Sequence, residues 1–391
     1  ALKQRLNIGI NLRVGNLPVF DGNSAVMRSA ARALSANSGG HCIDLIVDQD
    51  PTLALPAGSA ADFHVVSPFP FGNRALQRLF GGDPWYRLRL PLDSRWRRLD
   101  AYVCNAHEEP PVIGGPPRVP IVHDLAFMLD EAEKYFTREM IAYLDRCTAA
   151  NVHAAARVVA VSNTTARDVE RVYGVPVGEI EVLHNAHDAE MFRPDIDPGA
   201  VEATKRELGL TAPFFLHVGT IQPRKNLPTV LEGFERLWAG GAPHKLLLVG
   251  ATGWSGEEAS SRGLPDPEAI DGVRLLGGLP TEQVAHLMKS AEALIMAGFY
   301  EGFGLPALEA MACGTPVLAA EAGALPEVVG DAGLLFDPDN PVELAGLMRR
   351  VGEEPGLRER LGAKAMARAA GFSWENHARG LVAIAESLAG R

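Results

Sequence analysis

The chain has 391 residues, 47% of them hydrophobic, and a formal net charge of −11 at pH 7. That length suggests two domains with sizeable cores, and the acidic balance argues against general nucleic-acid binding. The four cysteines (Cys42, Cys104, Cys147, Cys313) lie far apart without a C-x-x-C pair, which suggests neither a zinc site nor a disulfide framework and fits a reducing cytoplasm.

The chain enters an apolar strand at residues 5–12, with no signal-peptide pattern before it. Further strands are predicted at 42–48, 62–66, 101–105, 119–124, 157–162 and 180–185, with helices at 24–37, 139–153 and 164–173. A second series has strands at 213–219, 245–250, 272–278, 292–298 and 315–320, and helices near 227–238, 282–291 and 306–313. Strand–helix alternation implies parallel sheets covered on both faces, here as two doubly wound α/β domains. The proline-rich, polar stretch 191–210 suggests a boundary near residue 205. Ligands in such sheets bind at the carboxyl ends of the strands, so a cleft between two facing domains is expected. No run of about 18 apolar residues reads as a membrane span.

Residues 74–98 stand apart: seven arginines, two aspartates, Trp85, Tyr86 and Trp96. They read either as an acceptor-binding or membrane-surface patch, or as an exposed segment whose arginine stems cover apolar surface.

Four groups of residues carry candidate chemistry. In "GFYEGFGLPALEA" (residues 298–310), Gly298, Gly302 and Gly304 permit close backbone approach, and Pro306 suits the first turn of a helix. The free N–H groups at that helix start suit a phosphate. Glu309, expected in the first turn, could accept two hydrogen bonds from vicinal hydroxyls such as those of a ribose. Glu301 would reach another part of the same ligand. The plainer alternative makes Glu309 a partner of the helix dipole and Glu301 a solvated loop acid. In "FLHVGTIQPRKNLPTVLEGF" (215–234), a strand ends at Gly219 and Thr220, and Arg224 and Lys225 precede a helix. Two cations there suit a diphosphate, the alternative being a solvated basic pair. His123 and Asp124 end the strand at 119–124, on the ligand-binding edge of the first domain. Gly22 and Asn23, before the helix at 24–37, could form a second phosphate-facing loop, although a Gly-Asn pair is more often a simple turn. Three Asp-x-Asp pairs (Asp48/Asp50, Asp195/Asp197, Asp337/Asp339) occur; two lie in proline-containing loops, where Asp is ordinary turn chemistry.

Together these residues resemble the GT-B glycosyltransferases of the large retaining family 4, which includes many bacterial mannosyl- and glucosyltransferases. The resemblance spans nearly the whole chain and is strongest over 214–336. Its most specific element is the E-x7-E motif, Glu301 and Glu309. Gly219-Thr220 with Arg224-Lys225, His123-Asp124 and "GALPEVVGDAGLLFDP" at 323–338 agree in order and spacing. The resemblance implies two Rossmann-like domains facing a central cleft. Residues 1–205 would form the acceptor-side domain and 206–373 the domain that binds the nucleotide-sugar donor. The helix at about 374–391 would pack back on the first. It also implies roles. Arg224 and Lys225 would hold the donor diphosphate, and Gly302, Phe303, Gly304 and Leu305 would offer backbone N–H groups. Glu309 would bind the ribose and Glu301 a hydroxyl of the transferred sugar. His123 would lie beside the reacting sugar, and Gly22 would close on the diphosphate. The chain departs from the family pattern in Ala186 after Asn185, in Met296-Ala297 before the Glu motif, and in a single glycine in the N-terminal loop.

The implied reaction moves a hexose from a nucleotide diphosphate sugar to a saccharide or lipid-linked acceptor in glycan synthesis, with retention and without a metal or other cofactor. GDP-mannose is the first expectation for the donor and UDP-hexoses the next. A cytoplasmic protein, peripheral at the inner membrane surface if 74–98 is a membrane patch, follows. Rival readings are a nucleotide-sugar epimerase or hydrolase on the same scaffold, betrayed by donor turnover without acceptor, and an inactive partner subunit, which would bind donor without transfer.

Overall fold

The computed structural model describes residues 4–13, 22–55, 58–251 and 266–390. They form two compact units: 1–185 with 373–391, and 186–372.

The first unit is built on seven parallel strands in the order β3-β2-β1-β4-β5-β6-β7. They are β1 (Asn7–Asn11), β2 (Cys42–Val47), β3 (Ala61–Val65), β4 (Ala101–Asn105), β5 (Arg118–Val122), β6 (Val158–Ala160) and β7 (Ile180–Val182). Its helices are α1 (Gly22–Ala36), α2 (Asn73–Phe80), α3 (Arg138–His153) and α4 (Asn163–Tyr173). The inner strands are apolar without alternation because both faces are covered; every residue of β4 is buried. Ser162 starts α4 by accepting from the Thr165 N–H at 3.0 Å, and Gly174, at φ 65°, ends it.

The second unit has six parallel strands in the order β10-β9-β8-β11-β12-β13. They are β8 (Phe214–Val218), β9 (Lys245–Val249), β10 (Val273–Gly277), β11 (Leu294–Met296), β12 (Val317–Ala320) and β13 (Leu334–Phe336). Its described helices are α5 (Pro198–Glu207), α6 (Leu227–Ala239), α7 (Thr281–Ser290), α8 (Leu305–Ala312), α9 (Leu325–Val329), α10 (Pro341–Glu353) and α11 (Leu357–Ala369). The final helix, α12 (Trp374–Ala389), belongs to the first unit. It packs on α1, and two histidines tie it down: His377 Nδ1 donates to the His184 carbonyl at 3.1 Å, and His41 Nε2 meets Glu386 Oε1 at 3.2 Å.

The chain passes between units after Asn185, not near residue 205. Residues 186–205 belong with the second unit because α5 packs on α7, where Thr204 Oγ1 and His286 Nδ1 lie 2.8 Å apart.

The segment 74–98 also differs from expectation. Trp85 and Trp96 are core residues, 2% and 0% exposed, clustered with Ile46, Val66, Leu99 and Tyr102. Arg13 lies over both Trp85 and Tyr86, 4.9 Å from each ring centroid. The aromatics therefore do not form an interfacial belt. All four cysteines are free. Among the described residues no helix is long and apolar enough to cross a membrane, and no group of three or more His, Cys, Asp or Glu could hold a metal.

Candidate active site

In each sheet the strand order reverses beside the first strand: between β1 and β4, and between β8 and β11. Loops leaving the carboxyl ends of strands diverge at such a point and open a ligand-sized crevice. Most of the candidate residues follow β8 and β11.

The loop after β8 begins at Gly219, whose φ of 149° strongly favours glycine. A Cβ there would sit 3.7 Å from Lys225 Cε. Arg224 and Lys225 lie on a short 3-10 turn (Pro223–Lys225), and Asn226, at φ 54°, turns the chain into α6. The loop after β11 comes to meet them. The Phe299 N–H donates to the Arg224 carbonyl at 3.0 Å, and Arg224 Nη1 donates to the Tyr300 carbonyl at 2.6 Å. Lys225 Nζ donates to Glu301 Oε1 at 2.7 Å, and Arg224 Nη1 lies 3.8 Å from Glu301 Oε2. Glu301 is only 6% exposed, so these cations offset the desolvation of its carboxylate. Gly323 clamps the loop from the far side. At φ 56°, it carries no Cβ that would strike the Glu301 N and O at 2.6 Å, and the next N–H, of Ala324, donates to the Glu301 carbonyl at 2.8 Å.

The structure thus brings Gly219, Arg224, Lys225 and Glu301 together. Thr220 is exposed beside Gly219. Gly302 and Phe303 are buried, and Gly304, at φ 95°, caps α8 with Pro306 in its first turn. No side chain caps that helix start. Glu309 is the fifth residue of α8, one residue further in than expected, because the helix begins at Leu305. It is partly buried, with no cation beside it among the described residues. Burial first, and the Asp188 charge second, push its carboxyl up to about 7.

Two groups escaped the sequence reading. His217, on β8, donates from Nδ1 to the Ile295 carbonyl at 3.0 Å and leaves Nε2 buried without a partner among the described residues. Burial holds its pKa down to about 4, with Lys225 and Glu301 acting on it from nearby. A histidine inside an apolar strand run was the available signal. Asp188, just past the crossover between units, had none beyond its charge.

In the first unit, His123 follows β5 directly and is 5% exposed. Neither ring nitrogen has a hydrogen-bond partner among the described residues. Burial, then the neighbouring His107, lowers its pKa to about 3, so the ring is neutral at physiological pH. Asp124 accepts from the Ala126 N–H at 3.0 Å. Gly22 is the first residue of α1, exposed, with nothing within 4 Å of a Cβ built there. The loop before it, 14–21, lies outside the described residues. Of the Asp-x-Asp residues, Asp48 receives Arg13 Nε at 2.6 Å, Asp197 caps α5, and Asp337 accepts from the Asp339 N–H at 3.0 Å.

Two Rossmann-like parallel-sheet units of this kind make up the GT-B fold, and solved glycosyltransferase structures share it across the chain. One is the Anabaena protein Alr3699/HepE in complex with UDP and glucose: TM-score 0.72, 19% identity, 99% of this chain and 100% of that one. Another is WaaG, a glycosyltransferase involved in lipopolysaccharide biosynthesis: TM-score 0.68, 17% identity, 96% and 99% coverage. Residues 201–368 match the family model for glycosyl transferases group 1, and residues 20–191 that for glycosyltransferase family 4. The chain belongs to this glycosyltransferase family. Its curated relatives include the O-antigen chain mannosyltransferase B of Escherichia coli, 28% identical over 65% of this chain and 66% of that protein. The D-inositol 3-phosphate glycosyltransferase of Frankia alni is 35% identical over 54% of each. The matches thus span between about half and two thirds of these relatives' lengths.

Proposed function

We propose that the protein is a retaining hexosyltransferase. It would move mannose from GDP-mannose to a hydroxyl of a saccharide or lipid-linked oligosaccharide. The observation that carries this reading is the convergence of Arg224 and Lys225 on Glu301 at the β8/β11 switch point, beside the uncapped start of α8. Two cations and a helix N-terminus suit a diphosphate; a nearly buried carboxylate beside them suits a sugar hydroxyl. In the proposed reaction the bond from the anomeric carbon to the β-phosphate oxygen breaks, and a bond to the acceptor oxygen forms on the same face. The acceptor's proton passes to the departing phosphate. Arg224, Lys225 and the α8 start stabilise the charge that builds on that phosphate. Glu309 would hold the ribose, and His123, whose ring is neutral, is the first unit's candidate for a role in transfer. UDP-hexose as donor is the second reading, favoured by the UDP and glucose bound to the Anabaena neighbour.

The test is a thermal-shift panel of GDP, UDP, ADP, dTDP and CMP on wild type and Glu309→Ala. A ligand at 100 times its Kd adds about 2.7 kcal/mol to native stability. One diphosphate stabilising wild type, with a smaller shift in the variant, supports the site and names the base. No shift from any of them overturns the donor site.

A further inference from the structure

The strands that carry the donor-site loops part just below those loops. β11 pairs with β12 at all three of its residues but with β8 only at Leu294↔Leu216. β8 itself runs on along β9 to Val218↔Val249. Beyond Leu216 and Leu294 a wedge therefore opens between β8 and β11, as it must where the strand order reverses. A backbone carbonyl that faces such a wedge has lost its ladder partner and needs another.

Two contacts span the wedge. At its mouth, Lys225 lies over the end of β8, its Cε 3.7 Å from where a Cβ on Gly219 would stand. Glu301 lies over the loop leaving β11, its Oε1 2.8 Å from where a Cβ on Gly298 would stand. The two side chains meet at 2.7 Å. Deeper in, His217 Nδ1 reaches the Ile295 carbonyl at 3.0 Å. A carbonyl only accepts, so Nδ1 carries the proton, and in the neutral ring Nε2 carries none. The ring is 2% exposed, and Lys225 and Glu301 are the charges that act on it. An apolar side chain would fill that space without stranding Nε2, which has no hydrogen-bond partner among the described residues. Packing alone does not account for a histidine here; the bond to Ile295 does.

We propose that His217 is a positioning residue for donor binding: its Nδ1–H bond to the Ile295 carbonyl sets the width of the β8/β11 wedge and so the reach of Lys225 to Glu301 across its mouth. The two bonds are rungs on one opening, the inner fixed within the sheet and the outer made by longer side chains. Moving the inner rung displaces the strand ends from which both outer partners start. The proposal rests on the reading of Arg224, Lys225 and Glu301 as the donor site.

The experiment compares wild type, His217→Leu and His217→Asn by titration calorimetry with GDP and UDP, at a temperature where all three are folded. Asn places an N–H donor where Nδ1 stands but leaves a void; Leu fills more of the space but cannot donate. His217→Leu should bind the preferred diphosphate roughly fivefold more weakly, the worth of one net hydrogen bond. His217→Asn should keep most of the affinity although it unfolds at lower urea than His217→Leu. A side chain that merely fills space would put affinity and stability in the same order. A mutant cycle without nucleotide runs alongside. The drop in denaturation midpoint caused by His217→Leu should be smaller in Lys225→Met/Glu301→Gln than in wild type, because part of the loss passes through the ion pair. His217→Leu binding as tightly as wild type, or equal midpoint drops in both backgrounds, would overturn the proposal. So would a nitrogen NMR spectrum of wild type with the His217 proton on Nε2, a result that needs no variant to fold. Wild type that binds neither nucleotide would overturn the donor-site reading; the cycle and the spectrum then still decide whether the inner rung positions the ion pair.

Discussion

Glu301 and Glu309 are the same chemical group with seven residues between them, yet the fold gives them opposite surroundings. Glu301 sits in a loop, nearly buried, with Lys225 Nζ at 2.7 Å and Arg224 close by. Glu309 sits on a helix, partly buried, and the charge that acts on it is that of an acid, Asp188. The first carboxylate is held in place by the two cations beside it. The second is poised to take a proton near neutrality. A motif defined only by spacing therefore contains two carboxyl groups in different settings: one paired with a lysine, and one whose burial favours its protonated form.

The comparison breaks most visibly at Lys225. Lys225→Met removes the ammonium and leaves a nearly buried carboxylate facing only Arg224. One-sided loss of a buried pair costs about 3–5 kcal/mol, readable in urea denaturation. The double variant Lys225→Met/Glu301→Gln should recover most of that loss, since both charges are then gone. Transfer should fall about 10²–10³-fold in either, if Lys225 also stabilises the leaving phosphate. A double variant no more stable than the single would mean the pair does not hold this loop.

A smaller effect is expected at Gly323. Its φ of 56° and the 2.6 Å approach to the Glu301 backbone leave no room for a methyl group. Gly323→Ala should cost about 2 kcal/mol in strain and move Glu301 away from Lys225. Thermal melting and the diphosphate-induced shift should fall together. A lower melting temperature with an unchanged diphosphate shift would show that the clamp serves the fold and not the site.

Glu309 sharpens the contrast through pH. Its folded pKa of about 7 lies above the ordinary 4.5, so the native state holds a proton that the unfolded chain releases. The stability this contributes is complete below about 4.5 and is lost as pH rises through about 7. Glu309→Gln should therefore melt higher than wild type above neutrality and converge with it in acid. Ligand binding should move the other way. If the ribose needs the ionised carboxylate, diphosphate affinity in wild type falls about tenfold per pH unit below the pKa, whereas Glu309→Gln binds weakly at every pH. A flat wild-type profile would remove Glu309 from the ribose.

How far these features were legible follows from the physics of each. The inner strands could be read because a parallel sheet covered on both faces demands unbroken apolar runs, as in "KLLLV" of β9. β13 escaped the reading. The domain crossing was misplaced because prolines announce turns, whereas the units divide where tertiary contacts change, and "HNAHD" carries no compositional mark of that. Trp85 and Trp96 were ambiguous because aromatics interleaved with arginines describe a snorkelling surface and a capped core equally well. The Glu301–Lys225 contact joins loops 76 residues apart in sequence, and no local pattern encodes it. The charges of both residues were nevertheless visible, and so was the glycine setting that lets their backbones approach.

The smallest effect concerns the first unit, where His123 presents the reverse of Glu301: a buried polar group with no partner among the described residues. Its ring has been desolvated without a compensating hydrogen bond, which costs about 1–3 kcal/mol. A residue kept there for stability alone would be better replaced by an apolar ring of similar size. His123→Phe should therefore raise stability by about 1 kcal/mol, seen as a higher denaturation midpoint with unchanged slope. It should lower transfer while leaving the diphosphate shift intact, because the diphosphate contacts lie in the second unit. Because the ring is already neutral, the loss should be the same across the pH range in which the protein is folded. A destabilised His123→Phe with full transfer would mean the imidazole fills space. A stabilised variant that has lost transfer would mean the unpartnered ring is kept for a ligand, at the expense of stability.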